Sequence, residues 1–417
     1  MNADSNIKVR LTIMNFLQFF VWGSWIITVG NYWFQTQGWE ANKFGAVFST
    51  MGLSSLIMPA LIGIIADKWV NSEKLYAVLH LFSGISLAYL VSVDDPNTFF
   101  YVILVAMIFY MPTIALSNSI AYSSLIKNKM DPVTYFPPIR VFGTIGFIAA
   151  MWLVNLSGNK SSENQFYIAS IASFVLAAYS LTLPKCPPLS DNTEKSSLSK
   201  ALGLEAFKLF KDRQIAVFFI FSMLLGAALQ LTNAYGDVFL DDFKKVPEFA
   251  DSWVVKYSTI MLSVSQVSET LFILAIPFFL KRFGIKNVML ISMVAWVLRF
   301  GLFAYGDPGA NVWMIILSCI AYGMAFDFFN VSGSLYIETT SPPAMRSAAQ
   351  GVFMMMTNGI GAILGSSLSG ILIQEYFTDS AGTKDWHGIW LSFAIYALVI
   401  TIAFNFSFKY NKTDKTQ

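Results

Sequence analysis

Twelve stretches of this chain are each long and apolar enough to cross a lipid bilayer as a helix. One crossing takes about 20 mostly apolar residues. No water is available inside a bilayer to bond the peptide groups, so a crossing segment must satisfy them itself, as a helix does. The pattern therefore predicts an all-α polytopic membrane protein. The predicted spans are residues 11–34, 43–66, 74–92, 98–126, 138–156, 166–183, 213–239, 254–280, 286–305, 311–338, 347–376 and 388–408.

The composition agrees with a chain that has lipid as its solvent. Of the 417 residues, 55% are hydrophobic and 12% are charged, whereas soluble domains carry about 25% charged residues. The net charge is only +2, and blocks of like charge are absent. The basic surface that binds nucleic acid is therefore missing. We expect the lipid bilayer as the surrounding partner and no nucleic acid.

The chain offers no residue set for a metal, a cofactor or a catalytic dyad. Its two cysteines, Cys186 and Cys319, lie far apart, and so do its two histidines, His80 and His387. Neither pair has the spacing of a metal site or of a redox motif. We expect two unpaired thiols, no metal, no cofactor and no enzymatic activity.

One long polar stretch divides the chain between the sixth and the seventh predicted span. We predict an N-terminal six-helix bundle in residues 1–184, a cytoplasmic linker in 185–212 and a C-terminal six-helix bundle in 213–417. Two equal hydrophobic halves fit bundles related by a pseudo-two-fold axis along the membrane normal. Within the linker, residues 198–210 have apolar positions at helical spacing, which predicts an amphipathic helix on the membrane surface.

Lysine and arginine are distributed unequally between the two sets of predicted loops. Positive residues accumulate in cytoplasmic loops. With the N-terminus inside, the outer loops hold few of them, namely Lys43, Lys160, Lys244, Lys245, Lys256 and Lys384, and the inner loops hold most of the rest. We expect both termini in the cytoplasm. The first apolar run, after Arg10, is too long for the core of a signal peptide and is predicted as the first span.

Ionisable residues inside predicted spans are the candidates for function, because burying one costs about 2.5–3.5 kcal/mol. Asp327 lies near the middle of the tenth span among apolar neighbours. Apolar surroundings favour the neutral form of a carboxyl group, and a carboxyl that can take up and release a proton suits proton coupling. The alternative is a structural aspartate held by a fixed partner.

Two pairs of polar residues share helix faces in the seventh and eighth spans. Gln266 and Glu269 are three residues apart, and so are Gln230 and Asn233. An amide and a carboxylate on one inward face can bind hydroxyl groups or the edge of a base. The alternative for both pairs is hydrogen bonding between helices.

Arg140 follows two prolines at the start of the fifth span, and Thr144 and Phe147 continue its face. A face with a hydroxyl and a ring favours a cavity-facing arginine over one that extends to the interface. Arg299 lies towards the outer end of the ninth span, and we expect it to reach the membrane interface.

The fifth, seventh, eighth and tenth spans thus carry polar and aromatic groups on single faces, which predicts one central cavity. The rings of Phe147, Tyr322 and Phe326 are available there for stacking. Amides, carboxylates, a hydroxyl and rings suit a flat heteroaromatic group attached to a polyol. From the residues alone, the prediction ends at a polar solute, with or without an aromatic ring.

Longer strings of residues add a family resemblance. The fifth span carries Phe136-Pro-Pro-Ile-Arg140-Val-Phe-Gly-Thr144-Ile-Gly-Phe147, and the tenth carries Phe326-Asp-Phe-Phe-Asn330. Further strings lie at residues 16–19, 22–25, 58–69, 110–113, 218–226, 268–273, 304–308 and 355–359. Through them nearly the whole chain resembles the nucleoside proton symporter family of the major facilitator superfamily.

The resemblance implies the twelve-helix major facilitator fold and proton-driven symport of nucleosides, such as uridine or adenosine, in a bacterial inner membrane. We expect a monomer. The family's proton-coupling carboxylate matches Asp327. After Asp67 and Lys68, residues 70–74 replace the glycine and basic pair usual in the superfamily, which affects the gating contacts of that loop. The family's binding positions match Arg140, Thr144, Phe147, Gln230, Asn233, Gln266, Glu269, Tyr322, Phe326 and Asp327.

The working hypothesis is alternating access, in which two halves rock around a central site. A proton symporter of another polyol, such as a sugar, is the nearest alternative, and the aromatic rings weigh against it. A receptor that binds without transport is disfavoured because no signalling domain is present. A membrane enzyme is disfavoured because no nucleophile–base pair is present.

Overall fold

The computed structural model describes residues 3–188, 204–342 and 345–410, and these residues are mostly helical. In them the only β-type pairing is an isolated bridge between Thr378 and Lys384. The prediction of an all-α polytopic architecture is confirmed. The long helices are α1 (Ala3–Gly23), α2 (Ala41–Lys68), α3 (Ser72–Leu90), α4 (Pro96–Lys127), α5 (Pro132–Leu156), α6 (Asn164–Ser180), α7 (Arg213–Asp242), α8 (258–283), α9 (285–305), α10 (Val312–Thr340), α11 (Arg346–Met354, Met355–Gly361 and Ala362–Tyr376) and α12 (Trp386–Ser407).

Length and hydropathy identify membrane-crossing helices among these elements. Eight helices of the described residues are long and apolar enough to cross a membrane. One of them, Ser258–Tyr305, has 48 residues and a break at Gly284, where φ is +76°. At 1.5 Å per residue it is long enough for two crossings. Glycine adopts positive φ without steric penalty, and this break lies between the eighth and ninth predicted spans, residues 254–280 and 286–305.

Two of the helices depart from regular α-geometry. The first span continues beyond α1 through a short turn, Val29–Asn31, and a π-helical segment, Tyr32–Thr36. The middle part of α11, Met355–Gly361, is also π-helical. A π-helical turn inserts an extra residue and changes which side chains face a neighbour, and such turns are frequent at functional sites.

Side-chain caps define where several helices begin. The carboxylate of Asp95 accepts a 2.7 Å hydrogen bond from the Thr98 N–H at the start of α4. Bonds from Thr98 hold the pKa of Asp95, which lies in a loop, below its usual value. Asp212 caps α7 in the same way, accepting from the N–H groups of Gln214 and Ile215 at 2.8 and 3.1 Å. Each cap satisfies donors that the first helical turn leaves without a partner.

The helices pack mainly within each half of the chain and across two seams between the halves. In the first half α1 packs against α5 and α6, and α4 packs against α2 and α3. In the second half α8 and α9 pack against α10 and α12, and α7 packs against α11. The seams join α2 to α11 and α5 to α8. The division into two bundles with a linker at 185–212 stays a prediction.

A buried polar cluster ties the first-half helices together. Gln18 of α1 donates a 2.8 Å hydrogen bond to the Thr113 hydroxyl of α4, and its carbonyl oxygen lies 2.9 Å from Nε2 of His80 on α3. The Tyr110 hydroxyl of α4 donates to the Gln18 backbone at 2.6 Å. Bonded pairs of this kind satisfy polar groups that would otherwise be costly in an apolar interior.

The prediction of unpaired thiols is confirmed, whereas the predicted linker helix lies only partly within the described residues. Cys186 and Cys319 are buried and unpaired, as predicted. Of the amphipathic helix predicted at 198–210, residues 198–203 lie outside the described residues. The following residues, Leu204–Lys211, form a 3₁₀ helix. The ring of Phe210 stacks on Phe219 of α7 at 5.1 Å, so this end of the linker packs on the helical bundle.

Polar contacts between the two halves cluster at one end of the bundle. We call this the distal end; it is the end opposite the two described chain ends and contains residues 31–41, 157–163, 241–257 and 377–385. There Asn31 donates a 2.6 Å hydrogen bond to Asp237 of α7. Lys160 forms an ion pair with Asp241 and donates to the Ser258 hydroxyl at 3.1 Å.

Three further contacts extend this closure around the distal end. The Trp152 indole N–H of α5 donates to the Ser263 hydroxyl of α8 at 2.9 Å. The Ala41 N–H at the start of α2 donates to Gln374 of α11 at 2.9 Å. The Lys384 ammonium lies 3.9 Å from the centre of the Phe34 ring, and burial lowers the pKa of this loop lysine. The halves are therefore closed together at the distal end.

Candidate functional site

Three of the predicted site residues form a cluster of charges between the two halves. Arg140 lies on α5, Glu269 on α8 and Asp327 on α10. The Arg140 guanidinium interacts electrostatically with both carboxyl groups, and the two carboxyl groups interact with each other. Arg140 and Glu269 lie on the two helices of the α5–α8 seam, which also contains the Trp152–Ser263 bond. Charges in a low-dielectric interior act on one another more strongly than in water.

The Arg140 side chain is held by aromatic packing and by the small residue beside it. Its guanidinium carbon lies 4.0 Å from the centre of the Phe19 ring. A Cβ atom at Gly143 would lie 2.7 Å from both Arg140 Nη1 and Phe19 Cδ2. A larger residue at position 143 would therefore have to displace the guanidinium or the ring from this stacking. Arginine stacks on rings because its charge is planar and weakly hydrated.

Phe147 extends the same face of α5 into a group of rings. It meets Trp22 of α1 edge-on, with ring centres 6.4 Å apart, and Trp22 lies 5.9 Å from Tyr110. The Trp22 indole N–H is buried and has no hydrogen-bond partner among the described residues. Thr144 is half-buried between Arg140 and Phe147 on α5. Sequence reasoning missed Trp22, although it belongs to one of the strings that carry the family resemblance.

Three predicted residues have buried oxygen atoms that lack a hydrogen-bond partner in the described part of the chain. They are Oε1 of Gln230, Oε1 of Gln266 and Oδ2 of Asp327. Asn233 and Glu269 are half-buried on the same helices as Gln230 and Gln266. Unpaired polar atoms are costly in an apolar interior. These atoms can accept hydrogen bonds from hydroxyl and amino groups of a bound solute.

The α10 residues connect this cluster to a cleft beside α7 and α11. Tyr322 is buried and meets Trp296 edge-on at 5.9 Å. Phe326 is half-buried and forms part of the cleft wall. The cleft is lined by Leu225, Gly226, Leu229, Trp296, Ala325, Phe326, Phe329, Asn330, Thr357 and Asn358.

Asn330 and Asn358 were not predicted as site residues. Asn330 lies one helical turn beyond Phe326, and Asn358 lies within the π-helical part of α11. Both are half-buried and face the cleft beside the aromatic rings of Trp296 and Phe329. An asparagine side chain both donates and accepts hydrogen bonds. The cleft therefore offers stacking surfaces and two amides together.

The structure contradicts the expectation for Arg299. Its side chain is 1% exposed and does not reach the membrane interface. The guanidinium carbon instead lies 4.2 Å from the Phe303 ring centre and 5.3 Å from that of Tyr322. Position along a span gives the depth of a residue but not the direction of its side chain, and Arg299 points inward between α9 and α10.

The chain matches one protein family over nearly its whole length and is similar to characterised permeases. A family model described as nucleoside H+ symporter matches residues 5–413. The xanthosine permease of Escherichia coli is 54% identical over 407 residues, which cover 97% of each chain. The nucleoside permease NupG of the same organism is 50% identical over 406 residues, covering 97% of this chain and 96% of the permease.

The chain is also similar to NupG in its three-dimensional structure. A crystal structure of NupG, in a variant with an aspartate replaced by alanine, superposes with a TM-score of 0.94 at 50% identity. The match covers 97% of this chain and all of the other. At this level of identity and coverage, the two chains share the same order and packing of helices.

Proposed function

The chain belongs to the nucleoside H+ symporter family, and from this premise we propose that it carries nucleosides inward across the membrane together with protons. It is a transporter with many membrane helices and not an enzyme. One observation supports the mechanism above the others. Arg140, Glu269 and Asp327 form a charge cluster from both halves of the chain, beside acceptor atoms that lack partners.

In the proposed complex the base and the sugar occupy different parts of the site. Phe147, Tyr322 and Phe326 pack against the base. The polar residues Gln230, Asn233, Gln266 and Glu269 bind the ribose hydroxyls and the polar edge of the base. Thr144 adds a hydroxyl. The partnerless oxygens of Gln230 and Gln266 support this assignment, because ribose hydroxyls supply the donors they lack.

Asp327 is the proposed proton carrier. Protonation makes it neutral, so that Arg140 is left to balance Glu269 alone. Loss of the proton adds a second negative charge to the same cluster. The proton therefore changes the charge balance between the two halves of the chain, and it can bias which arrangement of the halves is preferred. Arg140 positions the ligand or balances this charge.

The proposed transport cycle is alternating access between bundles 1–184 and 213–417, joined by the linker. We propose that the termini lie in the cytoplasm of a bacterial inner membrane, as the lysine and arginine distribution favours. The distal end then faces outward. With that orientation, the contacts through Asp237 and Asp241 close the outer side, which corresponds to an inward-facing arrangement. The transporter acts as a monomer.

Uptake by purified protein in proteoliposomes tests the function. Labelled uridine is supplied outside, with and without an inward proton gradient, and uptake is competed with adenosine, xanthosine and sugars. We expect accumulation only with the gradient and competition by nucleosides. Competition by sugars alone would favour a symporter of another polyol. Uridine entry without accumulation would indicate a facilitator and contradict symport.

A further inference from the structure

Arg299 is a buried charge that none of the proposed steps uses. It lies on α9 with 1% of its surface exposed. None of the ion pairs found in the described residues includes it. One of its nitrogen atoms, Nη1, donates a 3.3 Å hydrogen bond to the Ser318 hydroxyl, and Nε has no partner in the described part of the chain.

A buried arginine such as Arg299 is energetically costly within a membrane span. Charged residues there are rare, usually face a bundle interior and mark functional regions. Arginine cannot lose its charge at the pH of a cell, so the guanidinium must be stabilised by what surrounds it. Two rings do this, since Phe303 lies 4.2 Å and Tyr322 5.3 Å from the guanidinium carbon.

The contacts of Arg299 lead directly to the substrate site. The Ser318 hydroxyl donates a 2.7 Å hydrogen bond to the Arg299 carbonyl, so α9 and α10 are joined in both directions at this level. Tyr322 is one helical turn from Ser318 and meets Trp296 edge-on. The Tyr322 ring is thus held from α9 by a cation and by an indole.

We propose that Arg299 is a positioning residue for nucleoside binding, which fixes the Tyr322 ring against the base without touching the substrate. This rests on the proposed function. Phe326 and Asp327 lie further along the same helix than Tyr322. A loosened contact between α9 and α10 therefore affects the positions of their side chains less directly than it affects the position of the Tyr322 ring. A cation over an aromatic face holds a ring most effectively where water is excluded, as it is at this site.

The test compares uridine dissociation constants of purified variants. Arg299→Met retains an unbranched side chain but replaces the charged guanidinium by an apolar group. We expect this variant to bind uridine about 3- to 10-fold more weakly. Arg299→Lys restores a cation without the planar group and should recover part of the loss. Ser318→Ala keeps the arginine but removes its hydroxyl partner, and a smaller loss in the same direction is expected. Unchanged affinity in all three variants would overturn the proposal.

A double-mutant cycle separates positioning from general destabilisation. In a Tyr322→Ala background, Arg299→Met should have little further effect on affinity, because the ring through which it acts is gone. Equal effects of Arg299→Met with and without the ring would overturn the proposal. Ser318→Ala takes the place of Arg299→Met in the cycle if that variant does not fold, which thermal unfolding in detergent reveals. Failure of the wild-type protein to bind any nucleoside would instead reject the function itself.

Discussion

The side-chain amide of Asn31 donates a 2.6 Å hydrogen bond to the carboxylate of Asp237, 206 residues further along the chain. Both residues are at most 1% exposed. This bond joins the first span to α7 at the distal end, next to the Lys160–Asp241 ion pair. Breaking such a buried pair leaves a carboxylate without its donor. The closure therefore depends on a specific pair of residues. Opening the distal end requires the Asn31 amide and the Asp237 carboxylate to exchange their mutual hydrogen bond for bonds to water.

The Lys160→Met variant, which removes the charge of Lys160, should make the distal end open more often. The Asp241 carboxylate is 2% exposed and would lose one of its two lysine partners in the described residues, keeping Lys244, at a cost of about 1–3 kcal/mol. A Val238→Cys reporter, buried against Gly30 between the halves, should then react about fivefold faster or more with a membrane-impermeant thiol reagent. Lys256→Met, at an exposed lysine of the same end, is the control. Equal labelling in both variants would contradict the role of the ion pair.

A methyl group at Gly45 should hinder distal closure. An added Cβ there would lie 3.1 Å from the Gly370 Cα across the α2–α11 seam. Overpacking of this kind costs about 1–3 kcal/mol. Uptake by Gly45→Ala should fall and the Val238→Cys reporter should label faster. At Gly63, on the same helix, an added Cβ meets nothing within 4 Å, so Gly63→Ala should transport normally. A similar loss in both variants would mean that helix flexibility, not the seam, matters.

Replacing Arg140 should impair transport more than replacing a surface arginine. Arg140→Gln leaves Glu269 and Asp327 without their shared counter-charge. Uncompensated buried charge costs about 3–5 kcal/mol, so uptake should fall at least about tenfold. Arg282→Gln, at an exposed arginine packed on a ring, should change uptake little. Normal uptake by Arg140→Gln would remove Arg140 from the mechanism.

The cleft amides should influence which base is preferred. Asn358→Ala removes a donor and an acceptor from the wall beside Phe326. A lost hydrogen bond of this kind is worth about 0.5–1.5 kcal/mol. Competition by purine and by pyrimidine nucleosides should therefore change unequally. Asn287→Ala, at an exposed asparagine, serves as the control. An unchanged order of competitors in Asn358→Ala would exclude the cleft from base recognition.

The sequence predicts the helices well because apolar length is a direct consequence of bilayer thickness. The eighth and ninth spans were expected at residues 254–280 and 286–305, and the break at Gly284 lies between them. Residues on single helical faces, such as Arg140 and Glu269, were also expected to converge, since three- and four-residue spacing defines a face. The electrostatic interaction between these two residues agrees with that expectation, while their roles stay predictions.

Other features depend on neighbours that the sequence does not locate. Arg299 was expected at the interface, because hydropathy indicates depth within the membrane but not direction around the helix axis. Asn358 was missed because it lies in a π-helical segment, where the regular 3.6-residue period no longer assigns faces. Trp22 was missed because its partnerless N–H depends on rings from α4 and α5.

The Asp327→Asn variant in proteoliposomes tests proton coupling through Asp327. Asparagine has the shape of a neutral aspartic acid but cannot exchange a proton. Two measurements are made on the same vesicles: accumulation of uridine under an inward proton gradient, and exchange of labelled for unlabelled uridine without a gradient. If Asp327 carries the proton, accumulation disappears while exchange continues. Accumulation at the wild-type level would show that the proton travels through another group and that Asp327 is not the proton carrier.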